Sequence, residues 1–243
     1  MHKSLHSKLI KRYLIDYWKD FTLYNTQQIE VGIRNKRKYI KDIAKRWLGE
    51  ETMSKQAKTV NQAELRRVLD YVATRKHNFR NRALVTTSMY SGMRVGEISS
   101  LRYEDVMDTE GKVRNEIRLR AENTKAKEAR TVFVSEKLQK ELQQYAKVYK
   151  PANPNKKFFY SQKNASDGFS ANTLTQFFHY LYKRAGLANC SSHSGRRTFA
   201  TEIANKGVGI RVLQKLLGHK NIQTTAIYVD ANDDMLRKAV NLA

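Results

Sequence analysis

A single cysteine, Cys190, stands among 243 residues. One thiol excludes an intrachain disulfide and a cysteine-rich zinc site, and it suits a reducing, cytoplasmic setting. Proline is almost as scarce, with two residues in the whole chain. Because proline interrupts a helix from within, that scarcity favours a mainly helical protein. No run of about 18 apolar residues occurs, so no membrane span is expected. Lys3, Lys8, Lys11 and Arg12 break up the opening residues, which argues against a signal-peptide core. Acidic side chains are also short in supply: 23 Asp+Glu face 46 Lys+Arg, for a net charge of +23. Such an imbalance asks for a polyanionic partner, nucleic acid foremost, with a ribosome-associated or non-specifically adhesive basic protein as the alternative.

What is present falls into two regions. In residues 1–52, Tyr13, Leu14, Tyr17 and Trp18 form one short apolar stripe, and Ile40, Ile43, Ala44 and Trp47 form another. Both have amphipathic helical spacing. The run Arg34 to Lys38 is either a solvated helix face or a phosphate contact. Gly49 to Lys58 is polar and aperiodic, so it reads as a linker. From residue 53 onward, Asn61 and Glu64 have capping-box spacing ahead of Leu65, Val68, Leu69 and Val72. A second helix is expected over 79–91, with Gly92 at its C-terminal end, and a short one over 94–101. The period then changes. Ile117, Leu119 and Ala121 alternate with polar residues, as do Val132 and Val134, predicting two strands joined by the polar turn ENTKAKEAR. Helical spacing returns with Leu138, Leu142, Tyr145 and Tyr149. It continues with a helix capped by Ser170 and ending near Gly186, then one capped by Ser192 that turns Phe199, Ala200 and Ile203 inward. Val212, Leu213, Leu216 and Leu217 mark a further helix closed by Gly218. The expected fold is mainly α with a small β-hairpin, an α+β arrangement.

Four fragments carry residues suited to phosphate chemistry. SGMRVGEI places Arg94 and Glu97 three apart at a helix start, and HSGRRTFAT does the same for His193 and Arg196. Residues three apart share a helix face, and a helix N-terminus favours an anion. LLGH sets His219 just after a glycine-terminated helix, and TTAIYV places Tyr228 nine residues later. Each piece alone has an ordinary structural explanation. Together they assemble a nucleophile, paired guanidiniums and imidazoles, the groups that phosphoryl transfer requires.

These fragments resemble the signature of the tyrosine recombinase family, also called phage integrases. GMRVGE (92–97), TKAK (124–127), HSGRRTFAT (193–201), LGH (217–219) and Tyr228 occur in that family's order and spacing, over about residues 59–232. The resemblance implies that Tyr228 attacks the scissile phosphate of double-stranded DNA to form a covalent 3′-phosphotyrosine, while Arg94 and Arg196 hold its non-bridging oxygens. It implies that Lys125 protonates the leaving 5′ oxygen, His193 assists the tyrosine proton, and His219 hydrogen-bonds the phosphate. Glu97 would orient the site. Lys127 lies two positions from Lys125 and is the alternative acid. Because the covalent link conserves the phosphodiester energy, no cofactor, ATP or metal is implied. Arg197 stands where the family commonly has His and is read as an added phosphate or structural contact. Cys190, His2, His6, His77 and His179 are read as structural.

The expected function is site-specific recombination for integration, excision or resolution of a mobile element. A type IB topoisomerase-like relaxing enzyme and a non-catalytic DNA-binding regulator on the same fold are the alternatives. Residues 53–243 would form the catalytic domain. The family's helical core-binding domain is larger than residues 1–52, which therefore read as a reduced clamp or DNA-binding arm. Tight site recognition then calls for an accessory DNA-binding protein or several protomers. After Tyr228, Asn232 can cap a short helix carrying Met235, Leu236, Ala239, Val240 and Leu242. So short a helix must dock on something, either its own domain or, as the resemblance implies, a pocket of the next protomer within a homotetramer on paired sites.

Overall fold

The Asn61 side chain accepts from the Glu64 backbone N–H, and the Glu64 carboxylate answers from the Asn61 N–H, so the expected capping box starts helix α1, Gln62–Ala73. The computed structural model describes residues 57–124, 127–162, 167–229 and 240–241. The expected N-terminal segment, Lys125 and nearly all of the expected terminal helix lie outside the described residues.

Helix α2, Asn78–Tyr90, is the centre of the packing. It buries Ala83, Leu84, Val85 and Met89 and is flanked by α1, by α5 (Glu136–Val148) and by α7 (Ser194–Asn205). A helix buried on most sides cannot hydrate its polar side chains. Accordingly, Thr86, Thr87 and Ser91 donate their hydroxyls back to carbonyls one turn earlier. Where α7 crosses α2 the gap is closed to side chains. A β-carbon on Gly195 would lie 2.2 Å from Ser88 Oγ and 2.7 Å from its carbonyl oxygen.

Two short helices, α3 (Val95–Ser100) and α4 (Tyr103–Val106), lead into a hairpin. Strand β1, Glu116–Leu119, pairs antiparallel with β2, Arg130–Phe133, in the register Ile117 opposite Val132 and Leu119 opposite Arg130. The inward residues Ile117, Leu119 and Val132 are the alternating ones. Two expectations change here. Ala121 leaves the strand for a 3-10 turn over Ala121–Asn123. Arg130, read from the sequence as the end of a polar turn, is the first residue of β2 and faces the same side as Val132.

Past α5, helix α6 (Ala171–Arg184) is capped by Ser170, as expected. The α7 N-cap is His193, not Ser192, which is buried; the serine hydroxyls used at this corner are those of Ser194, which accepts from the Ser191 N–H, and Ser191, which accepts from the His193 N–H. Helix α8, Ile210–Leu217, buries Leu213 and Leu217 but leaves Val212 exposed, and α9, Gln223–Ala226, follows it. A large apolar core underlies α1 to α6. A smaller one, built on Ala200, Ala204, Leu213 and Leu217, joins α7 to α8 and receives Tyr228. The architecture is mainly helical with one two-stranded sheet among the described residues.

Candidate active site

The site is organised around the C-terminal end of α8. A helix end leaves carbonyls without intrahelical donors, and those carbonyls carry partial negative charge. Here three consecutive carbonyls each receive a different arginine. Arg130 Nη1 donates to Leu216 O at 2.9 Å, Arg196 Nη2 to Leu217 O at 2.7 Å, and Arg94 Nη2 to Gly218 O at 3.4 Å. The arginines come from β2, from the first turn of α7 and from the N-cap of α3, regions far apart in sequence. Gly218 closes α8 with φ +62, and a β-carbon there would sit 2.5 Å from Arg130 Cδ, so glycine serves both the turn and the approach.

One carboxylate binds the arginines together. Glu97 is 1% exposed. It caps α3 by accepting from the Arg94 N–H at 2.7 Å, pairs with Arg94 Nη1 at 3.2 Å, and takes Arg130 in a two-pronged contact at 2.6 and 3.3 Å. Burial alone would raise its pKa, but the Arg130 hydrogen bond and charge outweigh burial and hold it below the usual carboxylate value. Three guanidiniums against one ionised carboxylate leave a positive centre suited to a phosphodiester.

Arg196 is nearly fully buried and donates also to Gly92 O and to His219 Nε2, the latter at 2.8 Å. Burial, then the nearby Arg94, lowers its pKa to about 9, which still leaves it charged at neutral pH. Burial, then Arg196, Arg94 and Arg130, lowers His219 to about 4, so its imidazole is neutral. The His219 Nδ1 lies 2.9 Å from the buried Thr225 hydroxyl.

Tyr228 lies beside this group. Its ring stacks on His219 at 6.3 Å between centroids, and Arg197 Cζ stands 5.9 Å from the tyrosine centroid. Arg197 thus stands near the tyrosine ring, at the outer range of a cation–π interaction. His193 is the exposed N-cap of α7, one turn from Arg196. A cleft of about 250 Å³ opens between the hairpin turn and the end of α8, with Arg94, Thr124, Arg130, His219 and Lys220 on its walls. Thr124 closes the hairpin turn by accepting from the Glu128 N–H and donating to its carbonyl. Lys127 is described in that turn with φ +52; its neighbour Lys125 is outside the described residues.

The structure thus brings Arg94, Glu97, Arg196, His219 and Tyr228 together. It adds two residues that sequence reasoning passed over. Thr225 sat within a quoted fragment without a role. Arg130 was hidden by its turn-like surroundings; its spacing two before Val132 was the available sign that it points inward.

This combination of fold and site defines a class. The phage integrase family model matches residues 58–235, and the chain belongs to the phage integrase family. Tyrosine recombinase XerA of Pyrococcus horikoshii is 31% identical over 166 residues, covering 68% of this chain and 55% of the relative. Transposase A from transposon Tn554 of Staphylococcus aureus is 26% identical over 215 residues, covering 85% of this chain and 57% of the relative. The crystal structure of XerA recombinase matches with a TM-score of 0.60 and 29% identity, over 76% of this chain and 64% of that one. A Tn1549 transposon integrase in complex with transposon right end DNA shares the fold, with a TM-score of 0.63 at 19% identity, over 79% and 67% of the two chains. The chain spans a little over half the length of the two curated relatives named here.

Among the described residues no helix is long and apolar enough to cross a membrane.

Proposed function

We propose that this chain is a site-specific DNA recombinase that cuts and rejoins double-stranded DNA through Tyr228, serving integration, excision or resolution of a mobile element. The observation that carries the reading is the cluster of three arginines on the last carbonyls of α8, set beside the His219–Tyr228 stack. It supplies fixed positive charge where a phosphate would sit, next to a phenol that could attack it. In this reading the Tyr228 oxygen bonds to phosphorus and the bond to the 5′ oxygen breaks. His193 receives the phenolic proton and Lys125 supplies one to the departing 5′ oxygen. Arg94 and Arg196 hold the non-bridging oxygens, His219 donates to one of them, and Glu97 keeps Arg94 in place. Attack by a 5′-hydroxyl of another strand reverses the steps and frees Tyr228.

Exchange between two duplexes needs four attacking tyrosines, so we propose a homotetramer on paired sites, joined by an accessory DNA-binding protein. The low cysteine content suits a cytoplasmic location. Relatives named as recombinase and transposase favour recombination over simple relaxation.

The test is covalent trapping on a nicked suicide duplex carrying the protein's own site. The wild-type chain is expected to form a denaturant-resistant adduct, and Tyr228→Phe to bind the same DNA without forming one. An adduct that persists in the Phe variant would remove Tyr228 from the mechanism. A wild-type chain that binds but never forms an adduct would favour the non-catalytic regulator.

A further inference from the structure

The hydrogen bonds of His219 determine which of its nitrogens carries the proton. A guanidinium has five donors and no acceptor. Arg196 Nη2 lies 2.8 Å from His219 Nε2, so Nε2 must accept there and bears no hydrogen. In a neutral imidazole the proton is then on Nδ1, and that nitrogen lies 2.9 Å from Thr225 Oγ1. The threonine hydroxyl therefore accepts from the ring. Thr225 is fully buried, so no water can take its place. It is held there by α9, whose turn is fastened by the Thr225 N–H to Ile222 O bond at 2.8 Å.

We propose that Thr225 is a positioning residue that fixes His219 as the Nδ1-protonated tautomer, leaving the Nε2 lone pair directed at Arg196. This assignment rests on the recombinase reading for its consequence, not for its geometry. Before DNA arrives, Nε2 acts as an acceptor that helps hold the buried Arg196 guanidinium. A donor role toward a phosphate oxygen requires a proton on Nε2. With Nδ1 already protonated and bonded to Thr225, a proton gained on arrival of the anionic phosphate can enter only at Nε2. Thr225 thereby dedicates one edge of the ring to the protein and the other to arginine or phosphate. Without that hydroxyl the Nδ1–H is an unpaired buried donor, and the ring is free to adopt the tautomer whose Nε2–H opposes the arginine donors.

The experiment uses the full chain in three forms: wild type, Thr225→Val and Thr225→Ser. Each is labelled with 15N-histidine, with His219 assigned by its loss in His219→Gln. At pH 7 without DNA, the wild type and Ser variant are expected to show a protonated Nδ1 and an unprotonated Nε2. The Val variant is expected to show the other tautomer or an averaged pair. In covalent trapping, the Val variant should form adduct about tenfold more slowly or worse while binding DNA as the wild type does, and the Ser variant should stay within about twofold of wild type. A wild-type Nε2–H tautomer, or a Val variant with the wild-type tautomer, overturns the assignment. Normal trapping by a Val variant whose tautomer has changed overturns its catalytic consequence. If Val prevents folding, the wild-type and Ser spectra still decide the hydrogen-bond assignment. Absence of adduct from the wild type would count against the recombinase reading alone and leaves the spectra to be read independently.

Discussion

Arg130 Nη2 lies 2.6 Å from Glu97 Oε2, and this pair fastens the β-hairpin to the helix that presents Arg94. The same guanidinium reaches Leu216 O at the end of α8. One side chain thus joins the hairpin turn proposed to carry the general acid, the helix start bearing Arg94, and the loop bearing His219. Removing it would leave Glu97 buried with Arg94 as its remaining hydrogen-bonded guanidinium.

The first prediction follows from that arrangement. Arg130→Ala should lower folding stability by about 2–4 kcal/mol, because an ionised carboxylate stays buried after losing its two-pronged partner. Arg130→Lys should recover only part of the loss, since an ammonium cannot make parallel contacts to both oxygens and reach Leu216 O as well. Urea unfolding measures both. A loss below about 0.5 kcal/mol for the Ala variant, the level of an ordinary surface change, would mean that the pair does not hold the site together.

A second prediction separates the two lysines of the hairpin turn. An acid is needed only to expel the 5′ oxygen, and a 5′-bridging phosphorothiolate leaves without one. The Lys125→Ala variant should cleave ordinary DNA poorly and the phosphorothiolate substrate well, while Lys127→Ala should cleave both nearly normally. The reverse pattern of rescue would transfer the acid role to Lys127.

The third concerns pH. His219 has a folded pKa of about 4 against an ordinary 6.5. Between those values the unfolded chain binds a proton that the folded protein refuses, so the unfolded state gains as pH falls. The contribution of the neutral imidazole is therefore present above about pH 6.5 and is lost progressively toward pH 4. His77, lowered mainly by burial, adds to the same trend. The comparison is thus between wild type and His219→Gln without DNA. Melting temperature should fall more steeply for wild type between pH 7 and pH 4.5. Parallel curves would show that folding does not lower the His219 pKa.

Gly195 supplies the fourth. Alanine there would bring a β-carbon within 2.7 Å of the Ser88 carbonyl oxygen, and a main-chain atom in a buried helix cannot move aside alone. Gly195→Ala should cost about 1–3 kcal/mol, the usual range for overpacking, despite alanine's better helix propensity. Ser88→Gly removes the nearest hydroxyl but leaves the carbonyl, so the double variant should remain destabilised. A stability equal to wild type in the single variant would show that α2 and α7 can separate at no cost.

The sequence by itself determined most of the helices, the hairpin and the membership of the residue set proposed to bind the phosphate. Those features depend on local rules: the Asn61–Glu64 capping box, the glycine closing α8, and the alternation of Ile117 and Leu119. The family order of Arg94, Arg196, His219 and Tyr228 was legible for the same reason, since each sits at a fixed offset from a helix end. Local reading went astray where burial was decided by distant segments. Arg130 looked like part of a soluble turn because its neighbours are Lys125, Lys127 and Glu128; only the approach of α3 and of the α8 terminus gives its charge a buried partner. Nothing local distinguishes Thr225 from Thr224; α9 alone places its hydroxyl against His219. Ser192 had the right residue type for a cap, but folding buried it and the helix began two residues later. The convergence of three arginines on Leu216, Leu217 and Gly218 could come only from tertiary structure. Like charges repel in the extended chain, and they gather only where a folded helix end and the Glu97 carboxylate offset that repulsion.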